Sequence, residues 1–310
     1  MGLKSYIAIA RPSHWFKNLF MLPGAAFAAL LAGAGAGEIV RPVLLALASA
    51  SLAASANYVL NEWLDAEFDR YHPLKKARPS VIRRVRLPMV LLEYAVLAAA
   101  GLLLAYVLSV PYLVVTAAFL IMGVVYNLRP MRTKDVIYLD VLSESVNNPI
   151  RLLLGWLAVE PATLPPSSLV LGYWMGGAFL MAIKRYAEYR FLNNADSAAL
   201  YRRSFRYYTQ EKLLVSAFLY AMCSAFFLGV FLVKYRLELL LSLPLFGGLF
   251  AWYFHLGLKP NSVVQRPEDL WRETPFMIYV ALLTTVVALL LVVDLPWMAR
   301  LLETAFITIP

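Results

Sequence analysis

Long apolar runs alternate with short charged connections along nearly the whole chain. Nine runs are long enough to cross a bilayer, at about 19–37, 42–60, 88–108, 111–128, 136–158, 167–183, 213–233, 237–256 and 276–294. A hydrocarbon core of about 30 Å needs about 20 helical residues. The pattern therefore predicts an all-α integral membrane protein, one bundle of about nine transmembrane helices forming a single domain over residues 1–310. Period-two alternation, which a membrane barrel requires, is absent. The second run is rich in small residues from Ala46 to Ala56, which lets helices approach closely in lipid. Residues 1–18, with Trp15, Phe16, Lys4, Arg11 and Lys17, predict an N-terminal segment lying in the membrane interface. The tail from Leu295 to Pro310, with Trp297 and Arg300, predicts a similar arrangement on the opposite face.

Composition agrees: 61% of the 310 residues are hydrophobic and only 15% charged. Those proportions exclude an ordinary soluble enzyme, a disordered chain and a disulfide-stapled secreted domain. The single cysteine, Cys223, sits in an apolar run, where a small buried packing role is expected. The net charge of +9 changes meaning once it is placed on the spans. With the N-terminus cytoplasmic, 23 of the 28 lysines and arginines fall on the cytoplasmic side, and Arg151 alone falls within a span. This is the positive-inside asymmetry, so the surplus sets orientation and calls for no nucleic acid. An odd number of spans puts the C-terminus outside.

Chemistry concentrates where the second span ends, in Asn61-Glu62-Trp63-Leu64-Asp65-Ala66-Glu67-Phe68-Asp69. At 100° per residue, every fourth position drifts by only about 40°, so Asn61, Asp65 and Asp69 line one helical face with Glu62 beside them. Such a cluster of like charges repels itself unless a cation neutralises it. Carboxylate and carboxamide oxygens suit Mg2+, a hard ion commonly shared with substrate phosphates. The basic stretch that follows, Lys75, Lys76 and Arg78, suits the remaining phosphate oxygens. The competing assignment is a solvated helix end whose acids pair with Arg70, Lys75, Lys76 or Arg78.

The spacing Asn61-Glu62-x-x-Asp65-x-x-x-Asp69 resembles the acidic motif of the UbiA superfamily of intramembrane prenyltransferases, at the matching place after the second of nine helices. Arg11-Pro12-x-x-Trp15-x-Lys17-Asn18, His72-Pro73-x-Lys75-x-x-Arg78-Pro79, and Asp140-Val141 followed by Arg151 and Gly155 are similar to the decaprenyl-phosphate phosphoribosyltransferase branch. Most superfamily members carry a second acidic motif after the sixth helix. Here Lys184-Arg185-x-x-Glu188 stands instead, again similar to that branch. The chain departs from the branch in Ser80 to Arg86, in a longer Tyr126–Lys134 segment, and in Ser143-Glu144-Ser145-Val146-Asn147-Asn148-Pro149, which replaces usually apolar residues.

The resemblance implies a Mg2+-dependent transferase of the bacterial inner membrane, its active-site loops cytoplasmic. Asn61, Glu62, Asp65 and Asp69 would hold the metal, and Asp65, Asp69, Lys134 and Asp140 would form the catalytic set. Lys17, Asn18, Lys75, Arg78, Tyr126, Arg151, Lys184, Arg185 and Glu188 would contact substrate. Lys184 and Arg185 could clamp the additional phosphate of a phosphoribosyl pyrophosphate, with Glu188 holding Lys184 or touching ribose hydroxyls. A charge within a span is expensive, so Asp140 and Arg151 are functional by default. On one continuous helix they would share a face about 16 Å apart, too far to pair. The expected reaction moves phosphoribosyl from that donor to a polyprenyl phosphate. Prenyl transfer from a polyprenyl diphosphate to an aromatic or other acceptor stays open, as do a transporter of an anionic lipid or solute and a homo-oligomer.

Overall fold

The computed structural model describes residues 3–82, 85–192 and 195–301. Its α-helices are α1 (Leu3–Ala10), α2 (Leu22–Ala32), α3 (Ala36–Asp69), α4 (Leu87–Leu108), α5 (Val110–Asn127), α6 (Leu139–Ser145) and α7 (Asn147–Val159). They continue with α8 (Ser167–Leu192), α9 (Ala195–Tyr201), α10 (Gln210–Tyr235), α11 (Leu243–Leu258), α12 (Thr274–Val292) and α13 (Pro296–Leu301). Short 3-10 turns join several of them, and no strand occurs among the described residues.

Among the described residues, seven helical stretches are long and apolar enough to cross a bilayer. The other two expected spans are present as helix but differ instructively. The run at 136–158 is broken at Val146 into α6 and α7. Pro149, in the first turn of α7, cannot donate to the Ser145 carbonyl and its ring crowds that turn, so a continuous helix is disfavoured there. The helical ruler expected between Asp140 and Arg151 therefore does not apply. The run at 167–183 is the apolar half of α8, whose second half carries Lys184, Arg185, Glu188 and Arg190.

Helix α3 explains how the acidic motif leaves the membrane. Its 34 residues span about 50 Å at 1.5 Å each, well beyond a bilayer core of about 30 Å. The last turns lift Asn61 to Asp69 past the apolar slab while remaining continuous with the buried alanines below. Ala46, Ala50, Ala53 and Ala56 have no exposed surface, and Ser49 Oγ donates to the Gly101 carbonyl of α4 at 2.8 Å. Helices α2 and α7 approach more closely still. A Cβ on Gly24 would lie 2.1 Å from the Leu152 carbonyl oxygen, and one on Gly155 would lie 1.9 Å from that of Met21. Only glycine permits that crossing, and it seats α7 beside the N-terminal segment.

The expected interfacial segment is two pieces. Helix α1 packs Ile9 and Ala10 against Val59, Val85 and Val90 near the polar end of α3. The chain then turns at Arg11, whose backbone is left-handed (φ 50°, ψ 59°), into a 3-10 stretch, Pro12–Met21. A non-glycine residue held there is strained and marks a constrained position. The expected C-terminal surface tail falls mostly outside the described residues.

Candidate active site

Polar and charged side chains from five parts of the chain meet where α3 ends. Asp65 accepts from Lys134 and, at 3.2 Å, from Arg132. Asp69 accepts from Arg78. Asn61 donates to Asp65 at 3.1 Å and to Asn127 Oδ1 at 2.6 Å, and Lys134 donates to the same Asn127 oxygen at 2.6 Å. Asn127, the last residue of α5, thus ties the motif of α3 to the loop that carries Lys134. A cleft of about 20 Å³ lies among Asp65, Asp69, Arg132, Lys134, Tyr201 and Arg202. That is room for about one water, so a ligand the size of a diphosphate would enter only as some of these ion pairs exchanged for it.

The loop cations are set by burial and neighbours. Burial pushes the Lys134 ammonium down to about 8, with Asp65 opposing the shift. Burial also disfavours charge on Lys75 and Arg78, but Glu188 with Tyr201 and Asp69 for the first, and Asp69 with Glu62 and Tyr201 for the second, together hold both above their ordinary values. His72 is pushed down to about 4 by burial and by Lys75, so at neutral pH its Nδ1 accepts from the backbone of Leu74 and Lys75.

The four expected metal ligands do not all converge. Glu62 turns aside to Arg11, 2.9 Å away, and no group of three His, Cys, Asp or Glu side chains close enough for a metal occurs among the described residues. The carboxylates of Asp65 and Asp69 each hold a cationic side chain instead, as the competing assignment anticipated for Arg78. The donor set nonetheless fits a hard divalent ion. Asn61 Oδ1 accepts no hydrogen bond among the described residues, and Glu62 Oε1 is buried without a partner. Oxygen donors of this kind suit Mg2+, with the Lys134 and Arg78 contacts giving way.

Beneath the cleft lies a second, sealed cluster. Asp140 has no exposed surface. It accepts from Tyr208 at 2.7 Å and Ser204 at 3.0 Å, and stands 3.5 Å from Arg185 and 3.8 Å from Arg202. Buried in this way it positions two arginines, and it does not pair with Lys134 or Arg151. Arg185, 1% exposed, is committed to Asp140, Glu144 and Glu188, so it is not a free phosphate clamp. Glu188 also takes Lys75 at 2.9 Å, while Lys184 pairs with nothing among the described residues. The expected Lys184–Glu188 pair is therefore replaced by Arg185–Glu188 and Lys75–Glu188.

Further in, Arg151 donates to Asn18 at 3.0 Å, Asn18 donates to Ser51 at 2.9 Å, and Lys17 meets His14 Nδ1 at 3.3 Å. Tyr126 links the layers. Its ring lies 5.6 Å from the Lys134 ammonium, and its hydroxyl donates to Glu144 at 2.7 Å. Sequence reasoning missed Arg132, Arg202, Asn127 and Tyr201 as site residues. Asn127 adjoined the chosen Tyr126, and the arginines were counted only towards orientation.

Comparison with known proteins agrees with this architecture. A UbiA homologue from Archaeoglobus fulgidus, solved with GPP and Mg2+ bound, superposes with a TM-score of 0.68 at 19% identity, covering 93% of this chain and 100% of that one. The decaprenyl-phosphate phosphoribosyltransferase of Mycolicibacterium smegmatis is 30% identical over 213 residues, 67% of this chain. Nodulation protein NoeC of Azorhizobium caulinodans is 30% identical over 203 residues, 65% of this chain. These matches span 63% and 62% of the two relatives, a little under two thirds of their length. The model of the UbiA prenyltransferase family matches residues 21–268. The chain is an integral membrane protein that belongs to the UbiA prenyltransferase family.

Proposed function

We propose that this protein transfers phosphoribosyl from phosphoribosyl pyrophosphate to a polyprenyl phosphate, releasing pyrophosphate, at the cytoplasmic face of a bacterial inner membrane. The observation that carries this reading is the basic character of the second motif. Where two acidic sets would suit an ordinary prenyl diphosphate, α8 supplies Lys184 and Arg185, and Lys75 and Arg202 lie close to them. Four cations there, Lys75, Lys184, Arg185 and Arg202, outnumber three carboxylates, Asp140, Glu144 and Glu188, and Lys184, unpaired among the described residues, is left for the additional phosphate of such a donor. The named mycobacterial relative supports the same assignment.

The pyrophosphate sits against Asn61, Asp65 and Asp69 with Lys134, Arg132 and Arg78 around it. Asn61, Asp65 and Asp69 would hold Mg2+ between them and the pyrophosphate, and the ion would supply neutralisation of charge on the leaving group. Lys134, Arg132 and Arg78 stabilise the negative charge that grows as the C1–O bond of the ribose breaks. A phosphate oxygen of the lipid, its head held near Lys17 and Arg151, forms the new bond at C1 from the opposite face. That oxygen is already anionic, so no strong general base is needed. Membranes containing the protein, given Mg2+, labelled phosphoribosyl pyrophosphate and polyprenyl phosphate, yield a labelled lipid. Turnover of a polyprenyl diphosphate with an aromatic acceptor, and no labelled lipid, overturns the reading.

A further inference from the structure

The segment Ser143–Pro149, polar where an apolar wall is expected, is not used by the reaction as described above. The structure sorts its side chains. Ser143 accepts from Thr133 at 2.8 Å and so pins the Lys134 loop; Ser145 accepts from Trp174 at 3.1 Å. Asn148 packs where a Cβ on Gly177 would fall 2.0 Å from its Nδ2. These three are structural.

Glu144 and Asn147 differ. One oxygen of Glu144, Oε2, takes Tyr126 and Arg185, but Oε1 makes no hydrogen bond among the described residues and 26% of the side chain stays open. Asn147 donates its Nδ2 to the Glu144 carbonyl at 2.9 Å, while its Oδ1 is buried with no partner. A buried acceptor without a donor costs free energy and calls for one. Lys184, unpaired among the described residues, directly precedes Arg185 on α8, the residue whose guanidinium holds Glu144 Oε2. Two acceptors lacking donors thus adjoin one cation lacking an anion, on the far side of Tyr126 from Lys134. That is the complement of a polyol bearing an anionic group.

We propose that Glu144 Oε1 and Asn147 Oδ1 accept hydrogen bonds from the ribose hydroxyls of the donor, with Lys184 on its 5-phosphate, and so determine sugar specificity. This rests on the phosphoribosyl reading. The contiguous path from Asp65 through Lys134 and Tyr126 to Glu144 puts the sugar next to the pyrophosphate cleft, as a donor joined through C1 requires. Neither Glu144 nor Asn147 takes a proton; both recognise hydroxyls.

The test compares phosphoribosyl pyrophosphate with its 2-deoxy counterpart in purified wild type, Glu144→Gln and Asn147→Ala. Sites built to bind a hydroxyl reject the analogue lacking it strongly, so the wild type favours the hydroxylated donor by about 100-fold or more in kcat/KM. Glu144→Gln raises KM for the natural donor and collapses that preference, with a smaller loss on the deoxy donor, since Arg185 also loses a charged partner. Asn147→Ala, which leaves the Arg185 ion pairs intact, does the same to a smaller degree. Equal losses on both donors in both variants, or no discrimination by the wild type, overturn the proposal alone. A wild type that turns over neither donor while using a prenyl diphosphate overturns the functional reading, and this proposal with it.

Discussion

Two carboxylate clusters, one above the other, use the same side-chain chemistry to different ends. In the upper cleft each ion pair keeps one open partner. The side chain of Asp65 is 18% exposed beside Lys134, and Arg78 is 25% exposed beside Asp69. In the lower cluster Asp140 and Arg185 are sealed together at 0% and 1%. Open pairs can exchange a lysine or arginine for a ligand at modest cost, because water still screens the intermediate state. Sealed pairs cannot, since removing one partner leaves a charge buried without compensation. Exposure, more than charge, separates the Asp65 and Asp69 pairs, which a ligand could displace, from the Asp140–Arg185 pair, which holds its neighbours in place.

That contrast breaks if the two clusters respond alike to mutation. Asp65→Asn and Asp69→Asn are expected to lower kcat/KM by about 10³-fold, with a loss of thermal stability in detergent of about 1–2 kcal/mol, smaller than that of the sealed pair. Chelation of divalent ions abolishes turnover in the wild type, and Mg2+ restores it. Asp140→Ala is expected to do the reverse of the upper substitutions in kind, costing about 3–5 kcal/mol of stability because Arg185 and Arg202 lose a buried partner. A melting curve with and without donor checks it. Lys134→Ala lowers kcat/KM for the donor by about tenfold, the loss of one charge-assisted contact of about 1.5 kcal/mol. Tyr208→Phe is the mildest: losing one hydrogen bond to Asp140 costs about 1 kcal/mol with activity retained.

Much of the fold was legible because a bilayer imposes one length and one polarity on every span. The runs, the emergence of the acid motif from α3 and the same-face alignment of Asn61, Asp65 and Asp69 follow from helical geometry alone. The interruption at Val146 was not drawn from the pattern, although Pro149 was in view, since the apolar run reads smoothly across it. Partners were the harder part. Arg185 is 41 residues from Glu144 and Lys75 is 113 from Glu188, and no periodicity within one helix reveals such pairs. The Lys184–Glu188 expectation illustrates this: i,i+4 spacing put them on one face, yet Glu188 meets better-placed cations from α8 itself and from the loop after α3. Glu144 was seen only as a departure from an apolar wall. Its place in that wall gives the departure a physical meaning.

The central claim is that the open ion pairs at the end of α3 and the basic second motif together activate a phosphoribosyl donor. The most direct measurement is mass spectrometry of lipid extracted after purified protein is incubated with Mg2+, phosphoribosyl pyrophosphate and a polyprenyl phosphate. A product heavier than the lipid by one phosphoribosyl group, absent from Asp65→Asn, is predicted. No such product, with a prenyl diphosphate consumed in its place, would contradict the account.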